Sequence, residues 1–96
     1  MKYVIIIHKD SESDYGVTVP DLPGCFSAGS TLDEAIENTR EAIECHLEGL
    51  LLDGESVPAP LPVEIHQLNP NYLGGTWSTI HLDFNDENFH YLISTS

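Results

Sequence analysis

Ninety-six residues suffice for one small domain with a single core. Apolar side chains make up 41% of the chain, enough to fold, but three Lys/Arg stand against sixteen Asp/Glu, a formal net charge of −13. That balance argues against direct nucleic-acid binding, which needs clustered basic side chains to neutralise phosphate, and against an anionic membrane surface, while it favours a basic protein partner.

In chain order, Val4-Ile5-Ile6-Ile7 is a β-branched, continuously apolar run, the pattern of a strand covered on both faces. Asp10-Ser11-Glu12-Ser13-Asp14 is a polar turn. Residues 15–19 alternate, with Tyr15, Val17 and Val19 on one face and Gly16 and Thr18 on the other, and predict a half-buried strand that pairs with the first as an antiparallel hairpin. Pro20-Asp21-Leu22-Pro23-Gly24 stops that strand, because two prolines remove two ladder donors. Residues 25–29 follow as a short third strand, small except for Phe26, which suggests close packing.

The helix is the clearest element. Ser30 or Thr31 caps it, and Thr31-Leu32-Asp33-Glu34 fits a capping box. Leu32, Ala35, Ile36, Thr39, Ile43, Leu47, Leu50 and Leu51 recur at spacings of three and four and form one apolar stripe. Asp53-Gly54 ends the helix, with Gly54 suited to a left-handed cap. The opposite face carries Asp33, Glu34, Glu37, Glu41, Glu44 and Glu48 against a lone Arg40. Like charges at these spacings each cost a few tenths of a kcal/mol, so the face is either merely solvated or used for binding.

Residues 55–62 contain three prolines and read as an extended connection. Residues 62–68 lean to a short helix or turn, and 69–75 are turn-rich. Residues 77–84 alternate, with Ile80, Leu82 and Phe84 on one side, and predict a fourth strand. Residues 89–93 are a candidate fifth strand or an adhesive tail. The order β-β-β-α-β predicts a two-layer α+β domain, an antiparallel or mixed sheet packed on one long helix. The boundary falls at residue 84, with 85–96 as tail or extra strand. Leu32, Ile36, Ile43, Leu47, Ile5, Val17 and Ile80 are expected to be buried together.

Catalytic signals are weak. Asp10, Asp21, Asp83 and Asp86 are candidate Mg²⁺ ligands of a nuclease, but each sits where Asp serves turn chemistry. His8, His46, His66, His81 and His90 form no HxH or HExxH pair, and ordinary surface or part-buried roles suit them better. Cys25 has no base nearby in sequence and reads as a buried structural thiol. No metal or cofactor is expected. No apolar run reaches the about 18 residues of a transmembrane helix, and the start MKYVIIIHKD lacks the form of a signal peptide. Two cysteines without CxxC spacing fit a reducing, cytoplasmic setting.

One arrangement is specific. Tyr15-Gly16-Val17-Thr18-Val19 leads into Pro20-Asp21-Leu22-Pro23-Gly24-Cys25, then Gly29-Ser30-Thr31-Leu32-Asp33-Glu34-Ala35, His46-Leu47-Glu48, Asp53-Gly54-Glu55, and Pro58 and Pro60. This resembles the HicB-like antitoxin family. The resemblance covers about residues 2–60 well and 77–83 loosely. It implies a partial ribonuclease-H-like fold without nuclease activity. It also implies a partner, HicA, a small basic toxin that cleaves RNA and whose active surface the antitoxin covers. Many members continue into a ribbon–helix–helix or helix–turn–helix domain that binds DNA. Residues 84–96 contain no Lys or Arg, so the expectation is a member without that domain and without direct nucleic-acid binding.

The candidate partner-binding residues are therefore Tyr15, Asp21, Leu22, Pro23 and Gly24 as a rigid extended edge, and Glu37, Glu41, Glu44 and Glu48 as an acidic face. A homodimer or higher oligomer is expected, with the tail or an edge strand at the contact. The alternative function is an oligomeric scaffold or regulator of the same fold without a toxin. A metal-dependent nuclease ranks third.

Overall fold

The computed structural model describes residues 2–9 and 12–82. Strand β1 (Lys2–Lys9) lies between β2 (Tyr15–Thr18) and β4 (Thr76–His81), and β3 (Phe26–Gly29) extends the sheet past β2, in the order β3-β2-β1-β4. Every pairing is antiparallel. Between β3 and β4 run helix α1 (Leu32–Leu52), a single turn α2 (Val63–His66) and a 3₁₀ turn at Pro70–Tyr72. This is the predicted α+β architecture, four strands on one long helix. The suggested fifth strand, Phe84 and the boundary at residue 84 lie outside the described residues.

The side-chain alternation of a strand sorts the sheet into two faces. Tyr3, Ile5 and Ile7 of β1 join Val17, Val19 and Ile80 in one cluster with Ala35, Ile43 and Leu47 of α1. Val4 and Ile6 point the other way and are also buried, as the unbroken apolar run predicts. On this second face the register draws a line across all four strands, Phe26–Thr18–Ile6–Trp77. The chain returns over it close to Gly75, where a Cβ would collide with the Ile6 side chain, and Tyr72 meets Trp77 edge to face at 5.9 Å between ring centroids.

The caps explain where α1 begins and ends. The Glu34 N–H donates to Thr31 Oγ1 at 3.1 Å, and the Glu34 carboxylate accepts from the Ser30 N–H at 3.1 Å. The box thus closes one residue upstream of the cap. At the other end the Gly54 N–H donates to Leu51 O and the Glu55 N–H to Leu50 O, with Gly54 at φ 78°, a Schellman motif that satisfies two terminal carbonyls.

One packing expectation is corrected, since Leu32 is 42% exposed, while the close packing expected of the small residues 25–29 is present at Gly29. Phe26 is 66% exposed. Gly29 explains the exposure of Leu32: a Cβ there would strike the Ala35 backbone, so α1 touches down on β3 at Ala35 and Leu32, the first helical residue, overhangs the contact. Phe26 sits on the second face of an edge strand, away from α1.

Candidate functional site

The outer face of α1 carries the four predicted glutamates. Glu37, Glu41, Glu44 and Glu48 are all exposed, because the opposite stripe of Ala35, Thr39, Ile43 and Leu47 turns into the core. Arg40 offsets little of this charge. Its Nε lies 3.7 Å from Glu37 Oε1, an exposed pair of small energetic weight, and its guanidinium donates to the His81 carbonyl at the end of β4. The last turn of α1 carries no basic residue.

The loop 20–24 is built from two successive turns. The Leu22 N–H donates to Val19 O and the Cys25 N–H to Leu22 O, each at 3.0 Å, and the Val19 N–H closes the loop onto Cys25 O at 3.2 Å. Pro20 and Pro23 each follow the first residue of a turn, where a fixed φ is suited. Gly24 takes φ 83°, which a β-carbon would oppose. Leu22, at the junction, is fully buried. Burial pushes the neighbouring Cys25 thiol pKa up, helped by Cys45.

Asp21 faces inward. Its side chain is only 3% exposed. Both carboxylate oxygens accept from the Leu61 N–H at 3.3 Å, and Oδ1 lies 2.9 Å from His66 Nε2. Nearby, the Tyr3 hydroxyl donates to Pro58 O at 2.6 Å. Burial, reinforced by the Asp21 charge, pushes the Tyr3 phenol pKa up to about 12. Tyr3 and Asp21 together thus pin the connection after α1, and α2 with it, against the sheet.

The nine predicted residues therefore do not form one surface. The glutamates lie on the outside of the helix layer. Tyr15 is half-buried against the core cluster, with Lys9 Nζ 5.4 Å from its ring centroid. Leu22, Pro23 and Gly24 line a pocket of about 310 Å³ with His8, Thr18, Phe26 and Tyr72, residues that belong to the second sheet face. Asp21 and Leu22 shape the loop from within. The pocket escaped sequence reasoning, since residues 8, 18 and 26 are joined only by strand register and Tyr72 by the return of the chain over this face. Of the candidate nuclease carboxylates, Asp21 is committed to Leu61 and His66, and Asp10, Asp83 and Asp86 lie outside the described residues. Among the described residues no group of three His, Cys, Asp or Glu is placed to hold a metal ion, and no helix is long and apolar enough to cross a membrane.

A family model described as HicB-like antitoxin of bacterial toxin–antitoxin system matches residues 3–90. This chain belongs to the HicB-like antitoxin family. An uncharacterized 14.9 kDa protein of Haemophilus phage HP1 is 50% identical over 72 residues, which are 75% of this HicB-like chain and 53% of the phage protein. The chain thus spans about half the length of that relative. The N-terminal domain of the Burkholderia pseudomallei antitoxin HicB shares its fold at a TM-score of 0.74 and 45% identity, over 88% of this chain and 100% of that one. A chain of a HicA3 and HicB3 toxin–antitoxin complex does so at 0.70 and 31%, again over 88% and 100%. The HicB-like motif now has a structural meaning. PDLPGC is the double turn anchored by Asp21, and G-x-TLDEA is the close approach at Gly29 followed by the helix cap.

Proposed function

We propose that this chain neutralises a small basic RNA-cleaving toxin of the HicA type by binding it and covering its active surface, without catalysing a reaction of its own. The observation that carries this reading is the outer face of α1, where Glu37, Glu41, Glu44 and Glu48 stand exposed and the only helix cation is drawn aside. An RNA-cleaving protein must present basic groups to phosphate, and such a surface complements this face. The likeness to a chain of a HicA3 and HicB3 complex supports the same partner class. Loop 20–24 serves as a rigid support rather than through the Asp21 carboxylate, which is used internally.

The test is titration of the full chain into an RNA-cleavage assay of a HicA-type toxin. Cleavage is expected to fall with rising antitoxin and to stop near a fixed stoichiometry, with a complex eluting ahead of either protein on gel filtration. Undiminished cleavage at excess antitoxin, with no complex, overturns the proposal.

A further inference from the structure

Cys25 and Cys45 are free thiols, the first buried and the second exposed. Nothing local in the sequence joins them, but the packing of α1 on β3 does. A Cβ at Gly29 would strike the Ala35 backbone, and Asn38 Nδ2 donates to the Ala28 carbonyl at 2.9 Å. Going back along the strand is therefore going forward along the helix. The Val19 N–H bond to Cys25 O carries the β2–β3 ladder one residue beyond the Thr18–Phe26 pair, so residue 25 still lies on the line of β3. Three extended residues from Ala28 to Cys25 and seven helical ones from Asn38 to Cys45 each cover about 10 Å. Seven residues also make about two full turns, so Cys45 lies on the side of α1 from which Asn38 reaches the strand. By the strand period Cys25 shares the helix-facing side with Gly29, and it packs in one cluster with Ala35, Ile43 and Leu47. The two thiols thus come together where loop 20–24 runs into β3 beside α1. Their proximity is felt electrostatically: after burial, Cys45 is the second cause that raises the Cys25 thiol pKa.

We infer that Cys25 and Cys45 are a reversible dithiol site, which closes to an intrachain disulfide by exchange with a low-molecular-weight disulfide.

Exposure assigns the roles. Cys45 gives its proton to water, and its thiolate attacks one sulfur of the small disulfide, whose S–S bond breaks as one small thiolate leaves. Cys25 then loses its proton and attacks the Cys45 sulfur, expelling the second small thiolate. Two cysteine thiols and one disulfide become one cystine and two small thiols, so protons and electrons balance. Burial keeps Cys25 protonated and shielded from solutes, so it reacts with the sulfur already held on Cys45. An accessible thiol beside a resolving one is the arrangement of redox-responsive pairs. Closure ties the loop that carries Asp21 to α1, and with it the connection that Asp21 holds through Leu61 and His66. The site does not depend on the toxin reading.

The experiment treats the full chain with hydroxyethyl disulfide, a neutral probe that the net charge of −13 does not repel. Intact mass, free thiols and a non-reducing gel are followed. The native chain is expected to lose two hydrogens and both thiols, to run as a single chain, and to recover fully in dithiothreitol. Proteolysis without reduction is expected to yield peptides joined through Cys25 and Cys45. Closing the ring is expected to raise the thermal midpoint by several degrees. Cys25→Ser is expected to stop at the hydroxyethyl adduct on Cys45. In Cys45→Ser, Cys25 is expected to react at least about tenfold more slowly than in the parent. If Cys25→Ser fails to fold, the parent and Cys45→Ser, altered at an exposed site, decide. A stable adduct on Cys45 beside a free Cys25 in the parent overturns the inference, as do bonds between chains or two unreactive thiols. Oxidation of Cys25 at the parent rate in Cys45→Ser overturns the attacking role of Cys45. A midpoint lowered by closure also overturns the inference, because the thiols then meet only by distorting the fold.

Discussion

Asp21 shows how little a residue's type says about its use. In sequence it stands in a turn between two prolines, where an exposed carboxylate is the ordinary expectation and a docking contact a reasonable one. Its partners, Leu61 and His66, are 40 and 45 residues away, and no local pattern joins them. Asp21→Ala leaves a buried imidazole and a backbone N–H without their acceptor, so we expect a loss of about 1–3 kcal/mol in urea unfolding. An unchanged midpoint contradicts the internal role. Tyr3 makes the same region sensitive to alkali. Its phenol is raised from about 10 in the unfolded chain to about 12 in the fold, so the folded state holds its proton more tightly. The contribution to stability is complete below pH about 10, where both states are protonated. It is lost progressively as pH rises to about 12, by which point both ionise. Tyr3→Phe removes this loss as well as the bond to Pro58, and its thermal midpoint is expected to fall less steeply over that range than the parent's.

At the level of elements, much was legible because the signals are local. The unbroken run in β1, the stripe of α1, Glu34 against Thr31 and the glycine past the last helical residue each fit within a few residues. The exceptions arise where two elements meet. Leu32 fits the helical period, yet the landing point of α1 is set three residues on, by Gly29 against Ala35. Phe26 breaks the run of small residues in β3, and the strand's period does not say that it faces away from the helix. Gly29→Ala tests that landing point. The colliding atoms are Ala35 backbone, which cannot rotate away, so a cost of about 1–3 kcal/mol is expected from chemical denaturation. Leu47→Ala, which empties a fully buried site, is expected to cost about 2–4 kcal/mol. Unchanged stability in the second variant contradicts the assignment of the helix's buried face.

For the whole molecule, charge is divided unevenly between the two layers. The helix layer turns Glu37, Glu41, Glu44 and Glu48 outward, while no acidic residue lines the pocket on the second sheet face. Helical period alone placed the acids on one face, but which sheet residues share the opposite surface depends on strand order. The proposed role of the helix face can be tested by kinetics. Glu37→Lys with Glu41→Lys changes the charge of the helix face by four units while both sites stay exposed. The same change keeps a like-charge pair at positions 37 and 41 and removes the Glu37–Arg40 pair, but sets cations three or four residues from Asp33, Glu34 and Glu44, so folding stability is expected to hold. Steering charges act mainly on the rate of encounter. The association rate with a HicA-type toxin is therefore expected to drop by at least about tenfold at low ionic strength and to approach the parent rate as salt shortens the Debye length below about 8 Å. Stopped-flow measurement across a salt series reads both the drop and its disappearance. An association rate indifferent to the reversals and to salt removes α1 as the toxin-facing surface, whatever the antitoxin's final affinity.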